Sequence, residues 1–178
     1  AALRGGQLTP DTPLESAPKI TLYKQEFKNF EEESHGVITL ETALRVSSDT
    51  FFYQVADRLY LAQDEDTGTY PLQKEARRFG LGADTGIDLP GEQPALVPDP
   101  PWKKQRFAGP KYSDFQRSWL GGDTINLGVG QGYLQATPLQ MAVAYGAIAD
   151  GGTVRTPTVG LQVADPTGRV QQQLAATG

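Results

Sequence analysis

Ser47, Ser48 and Asp49 stand at the break between two apolar-patterned runs, and small polar groups held at such a break can point into a cleft. A serine hydroxyl both donates and accepts a hydrogen bond, whereas an ionised aspartate only accepts. In acyl transfer a serine attacks an amide carbonyl, a base takes its proton, and the leaving amine must receive one. The elements that position the tripeptide are legible on either side. Leu40, Ala43 and Leu44 recur at helical spacing before it, and Phe52, Val55, Ala56 and Leu59 after it, so both runs are expected to be helices with a core-facing side. Asp49 is also placed to cap the second helix and to favour the positive end of its dipole, so a purely structural role stands beside the chemical one.

Three separated blocks carry more information than the tripeptide. HGVITLETALRVSSDTFFYQVADRL from His35, FGLGADTGIDLPGE from Phe79 and INLGVGQGYLQATPLQMAVAYGAIADGGTVRTP from Ile125 together resemble the middle of a penicillin-binding protein transpeptidase domain, in matching order and rough spacing. In that family a Ser-x-Asn element lies on a loop between two helices, and Ser47-Ser48-Asp49 is similar to it with Asp in the third place. An Asp there is similar to the class B, elongation-type enzymes of the penicillin-binding protein 2 kind. The resemblance implies an α+β fold in which an antiparallel sheet is flanked by helices, with this chain holding mainly the helical part.

The family chemistry uses three elements, a Ser-x-x-Lys with the nucleophile, the Ser-x-Asn, and a Lys-Thr-Gly on a strand. Only the second is present. Ser16-Ala17-Pro18-Lys19 matches the first formally, but nucleophile and lysine must share a helical face, and Pro18 removes a donor and drives Ala17 towards extended geometry. The opening AALRGGQLTPDT is similar to the tail of the nucleophile helix, with Gly5-Gly6 as its stop signal. At the other end Thr177-Gly178 is a Thr-Gly pair without the lysine. Residues 1–178 are therefore expected to be an internal portion of one transpeptidase domain, inactive by itself. Exposed apolar faces should make it pair with missing segments of the same domain or form an intertwined homo-oligomer.

For the intact protein the resemblance implies cross-linking of peptidoglycan stem peptides ending in D-Ala-D-Ala and acylation by β-lactams, at the extracytoplasmic face of the bacterial membrane, with an anchor upstream. Ser47 would relay a proton between the lysines of the two absent motifs. Asp49, able only to accept, would bind a cationic lysine or a substrate N–H where the family's Asn donates. Gln131 would line the groove. No cofactor or metal is implied. Two other functions use the same fold: a non-catalytic β-lactam sensor or scaffold, and a serine β-lactamase, whose class A forms need a glutamate to activate water.

Composition agrees with a soluble globular piece. The 178 residues are 38% hydrophobic, enough for a sizeable core, and the net charge of −5 argues against nucleic acid as a partner. There is no cysteine, which excludes disulfides and cysteine-based metal sites. No apolar run is long enough to span a bilayer.

The remaining elements follow from punctuation. His35 sits in a loop beside Ser34 and Gly36. PLQKEARR over 71–78 opens on proline and is followed by Gly80, which predicts a short helix. TGIDLPGE over 85–92 reads as a short extended segment closed by Pro90-Gly91. Residues 93–124, rich in proline and aromatics, exclude a long helix but are expected to pack, in the manner of one wall of a groove. The glycines of 128–132 miss the dinucleotide spacing because Tyr133 occupies the sixth place, so they read as a close-packed approach to the next helix. That helix starts with a capping box at Thr137-Pro138-Leu139-Gln140 and stops at Gly151-Gly152, and Met141, Ala144, Tyr145 and Ile148 mark its expected core face. Tyr53 and Phe52 are expected to anchor the second helix.

Overall fold

A computed structural model describes residues 1–174, which fall into two compact units. The Thr177-Gly178 pair lies outside the described residues.

The first unit comprises Ala1–Glu75 and Pro98–Leu134. It opens on a helical turn that Gly6 stops at φ +73°. The N–H of Gly6 bonds the carbonyl of Leu3 and that of Gln7 the carbonyl of Ala2, the paired bonds of a Schellman stop. Strand β1 (Leu14–Ser16) pairs antiparallel with β4 (Gly36–Ile38), and β2 (Lys19–Leu22) forms a hairpin with β3 (Gln25–Lys28). His35 lies in irregular chain, its N–H bonded to the carbonyl of Ser16.

Helices α1 (Leu40–Arg45) and α2 (Asp49–Leu61) lie on either side of the break at Ser47-Ser48 as expected, with Asp49 opening α2. Helix α2 is buried on two sides, which corrects the single stripe read from the sequence. Phe51, Val55 and Leu59 enter one core with Ala2, Leu8, Leu14, Ile38 and Ala43. Tyr53 and Ala56 enter a second with Phe27 and Ile125, where the rings of Phe27 and Tyr53 stand 5.0 Å apart. Phe51, fully buried, is the main anchor, while Phe52 is half-buried at the margin. Leu44, expected to face a core, is 64% exposed.

Residues 93–124 do exclude a long helix, yet they form α4 (Pro100–Arg106), α5 (Asp114–Arg117) and the start of α6 (Gly121–Gly128). Helix α6 was illegible because glycines occupy both its ends. The glycine at its C-terminal end lets it approach α2 closely: a methyl group added at Gly128 would collide with the Cβ of Ala56. The support is polar as well as apolar. Lys103 on α4 meets Asp123 on α6 at 2.6 Å with both side chains largely buried, and the indole N–H of Trp119 donates to Thr124 Oγ1 at 2.7 Å.

Helix α3 (Pro71–Arg78) begins in the first unit and ends in the second, which comprises Ala76–Val97 and the chain from Gln135 on, and Gly80 stops it at φ +85° as its position predicts. Residues 85–92 are not extended. The Glu92 carboxylate accepts the N–H groups of Thr85 and Gly86 at 2.7 and 3.3 Å, closing the segment on itself with donors that a strand would offer to a neighbour. Helix α7 (Pro138–Ala149) carries the expected capping box between Thr137 and Gln140. Its buried stripe, however, is Gln140, Ala144 and Ala147, and Met141, Tyr145 and Ile148 are 41%, 66% and 64% exposed. The reason is the Gln140 amide, which donates to the carbonyls of Ala83 and Pro94, each at 2.7 Å, and so draws that loop over the small-residue side of the helix. Strands β5 (Gln162–Ala164) and β6 (Val170–Gln173) form a third two-stranded antiparallel ladder, exposed throughout. Helices with small antiparallel sheets make the fold α+β. No helix among the described residues is long and apolar enough to cross a membrane.

Candidate functional site

The tripeptide owes its conformation to the way α1 ends. The N–H of Ser47 bonds the carbonyl of Leu44 at 3.3 Å and that of Ser48 the carbonyl of Ala43 at 3.0 Å, again the two bonds of a Schellman stop. In that motif the residue at Ser47's place takes left-handed geometry and is usually glycine. Here it is serine at φ +53°, which costs roughly 1–2 kcal/mol for an L residue. Nothing in the helix stop itself needs a side chain there. The Ser47 side chain is exposed and has no hydrogen-bond partner among the described residues.

Ser48 follows as the cap of α2, which corrects the assignment of that role to Asp49. Its Oγ accepts the N–H of Phe51 at 3.2 Å, and Asp49 is the first residue of the helix. Ser48 is fully buried and its hydroxyl lies 2.6 Å from that of Ser16. Asn29, between β3 and a 3-10 turn at Phe30–Glu32, binds this pair into a network. Its amide nitrogen donates to Ser16 Oγ at 3.1 Å, to the carbonyl of Ala17 at 3.1 Å and to that of Glu33 at 2.8 Å, while its oxygen accepts the N–H of Thr50 at 2.8 Å. Thr50 Oγ1 donates to the carbonyl of Ala17 at 2.9 Å. Two segments distant in sequence, 16–17 and 29–33, thus hold the start of α2 in one position. Asn29 is not legible from the sequence, because a single amide in FKNF has no periodic partner to mark it.

Ser16 is part of that lock. It is extended, fully buried and hydrogen-bonded, so its hydroxyl has no route to a substrate. Ser16-Ala17-Pro18-Lys19 is therefore no nucleophile motif: Ser16 ends a strand, and Pro18 keeps it off a helical face shared with Lys19.

Asp49 is partly exposed, and its carboxylate makes no hydrogen bond or ion pair among the described residues. Burial lifts its pKa above the ordinary 3.8. One turn on, the Tyr53 phenol is pushed up by burial and then by the charge of Asp49. Gln131 is exposed and fixed through its backbone. Gly130, at φ +75°, ends α6, and the N–H of Gln131 bonds the carbonyl of Asn126 at 2.9 Å. Gly128, three residues earlier, lies against α2 at Ala56 and the Phe52 carbonyl, and no hydrogen bond joins Gln131 to Ser47 or Asp49 among the described residues. The arrangement offers one free hydroxyl able to give and take a proton and one unpaired acceptor, on a rigid support. Among the described residues no group of three or more His, Cys, Asp or Glu side chains is placed to hold a metal ion.

Comparison with known proteins adds the context this geometry lacks. The family description penicillin binding protein transpeptidase domain matches residues 1–176. The peptidoglycan D,D-transpeptidase MrdA of Salmonella typhimurium is 35% identical over 159 residues, covering 88% of this chain and 23% of that protein. Among solved structures, penicillin-binding protein PBP2 of Helicobacter pylori in complex with MreC matches at TM-score 0.75 and 32% identity, covering 93% of this chain and 28% of that one. Pseudomonas aeruginosa PBP2 in complex with WCK 5153 matches at TM-score 0.77 and 28% identity, covering 98% and 37%. The chain thus spans about a quarter of the length of the curated relative it matches.

Proposed function

The chain belongs to the penicillin-binding protein transpeptidase family, and on that premise we propose that residues 1–178 are an internal portion of one transpeptidase domain whose intact protein cross-links peptidoglycan stem peptides ending in D-Ala-D-Ala. The observation that carries the reading is Ser47: a helix stop that glycine fills at no steric expense holds a strained residue whose hydroxyl is exposed and unengaged. Left-handed geometry recurs at other residues such as Tyr23 and Lys24, but at Ser47 it comes with an exposed, unengaged hydroxyl, which points to use of that position.

In the mechanism, a nucleophilic serine and two lysines from segments outside these residues complete the site. The nucleophile attacks the D-Ala-D-Ala carbonyl and its proton passes to a lysine. Ser47 accepts a proton from one lysine and donates its own towards the leaving amine, with no change in its net protonation. Asp49, on its fixed first turn, accepts from a lysine ammonium or a substrate N–H. Gln131 binds along the groove. Alone the piece is inactive, since loss of the nucleophile removes most of the rate in serine acyl transfer. The exposed Met141, Tyr145 and Ile148 of α7 and the exposed β5–β6 ladder support pairing with missing segments of the domain, or with a second copy in an intertwined homo-oligomer. The relatives' activity on peptidoglycan supports β-lactams as inhibitors and the extracytoplasmic face of the membrane as the location.

The test is fluorescent-penicillin labelling of the intact protein beside its Ser47→Ala variant. Loss of a positioned proton-transfer group slows acylation by about 10²-fold or more; equal labelling rates would refute the relay.

A further inference from the structure

At the other end of α2, Tyr60 lies about 16 Å along the helix from Asp49, at 1.5 Å per residue. There the first unit holds a cavity of about 470 Å³ that the transpeptidase reading does not use, of a size typical of small-ligand sites, ~300–1,000 Å³.

Its walls are aromatic and held in place. Tyr23 and Lys24 form the β2–β3 turn at φ +52° and +63°, left-handed at two residues that are not glycine. Tyr23 is kept there by a 2.6 Å hydrogen bond from its hydroxyl to Asp57, an edge contact with Tyr60 at 5.6 Å, and a ring laid so close over Gly121 that no side chain fits beneath it. Phe115, which also lines the cavity, is 71% exposed and makes no ring contact among the described residues, yet its backbone is fixed. The Ser113–Gln116 capping box starts its short helix, and the Arg117 guanidinium donates to the carbonyls of Gly109 and Tyr112, each at 2.6 Å. With the backbone fixed, binding has to order only the two side-chain torsions of this ring.

The polar lining narrows the ligand. The side-chain amides of Gln25 and Asn126 have no partner among the described residues. Asp123 uses one oxygen, Oδ2, for Lys103 and for the N–H of Leu120, leaving Oδ1 without a protein partner. No lysine or arginine lines the cavity, which excludes phosphates and carboxylates, and two open amides beside a carboxylate disfavour a hydrocarbon. What suits flat aromatic faces together with neutral donors and acceptors is an uncharged pyranose bearing acetamido groups. Its C–H faces lie on the rings, while its hydroxyls and acetamido group exchange hydrogen bonds with the amides and Oδ1.

We propose that this cavity is a binding site for N-acetylated saccharide, separate from the acyl-transfer residues. The inference rests on the transpeptidase reading only for the source of the sugar, the glycan of peptidoglycan. The experiment titrates the isotopically labelled chain with chitotetraose and follows the side-chain amide NMR signals of Gln25 and Asn126. Shifts centred on these signals are expected, with at least tenfold weaker binding in Phe115→Ala and in Asn126→Ala, and at least tenfold weaker binding of cellotetraose, which lacks the acetamido groups. Absence of binding, shifts confined to other residues, unaltered affinity in both variants, or equal affinity for cellotetraose overturns the proposal. Because the titration involves no acyl transfer, its failure leaves the Ser47 reading standing, and failure of penicillin labelling leaves the saccharide site standing.

Discussion

Replacing Ser47 by glycine should make the first unit more stable while abolishing the property for which the serine is kept. Relief of left-handed geometry returns roughly 1–2 kcal/mol, and the greater freedom of glycine in the unfolded chain takes back about 0.4–1 kcal/mol. The net gain is ~0.5–1 kcal/mol, because the Ser47 side chain makes no hydrogen bond whose loss would offset it. With a urea dependence of about 2 kcal/mol per molar, the unfolding midpoint rises by ~0.3–0.5 M. Both tryptophans, Trp102 and Trp119, lie in the first unit, so their emission reports on it without a contribution from the second. Ser47→Ala keeps the strained conformation and serves as the comparison, with a change within about 0.5 kcal/mol. A glycine variant no more stable than the alanine one would show that position 47 carries no strain, leaving its left-handed geometry without a bearing on function. In Ser47→Gly, the stability of residues 1–178 should rise while penicillin acylation of the intact protein falls, as at other strained functional positions.

Asn29→Ala leaves the N–H of Thr50 and the hydroxyl of Ser16 short of a buried partner, and should lower first-unit stability by about 3 kcal/mol, read from the same emission curves; a loss below about 1 kcal/mol would mean the network is not holding the loop. Burial lifts the Asp49 carboxyl above its ordinary 3.8, so the folded chain binds that proton more tightly than the unfolded one. The group's contribution to stability is therefore greatest in acid, declines as pH rises from the unfolded value through the folded one, and is level above it. Asp49→Asn should remove that decline from the pH dependence of the unfolding midpoint, and an unchanged profile would contradict the shift.

What could be read in advance depended on punctuation. Pro71 with Gly80 bounded α3, and Thr137-Pro138-Leu139-Gln140 with Gly151 bounded α7, because caps and stops act within a few residues of the backbone groups they satisfy. The break at Ser47 was legible for the same reason. Faces were less so. The exposed side of α7 is apolar, and only the long-range bonds of Gln140 to Ala83 and Pro94 decide which side is covered. The lock around Ser48 was hidden because Ser16, Asn29 and Thr50 meet across separations that no local period records. Glu92 converted an apparent strand into a closed loop by a bond seven residues back, to Thr85, with nothing in TGIDLPGE to announce it.

The crossing of α2 and α6 also constrains how sequences in this lineage can drift. Without the Ala56 methyl, the nearest neighbours of a side chain at 128 would be the Ala56 Cα at 3.6 Å and the Phe52 carbonyl at 3.8 Å, both ordinary contacts. The two positions together have room for one methyl group. Relatives that keep this crossing can hold glycine at either position with alanine at the other, but the exchange passes through an intermediate that is overcrowded or carries a hole, so substitutions at these sites are expected to be historically linked.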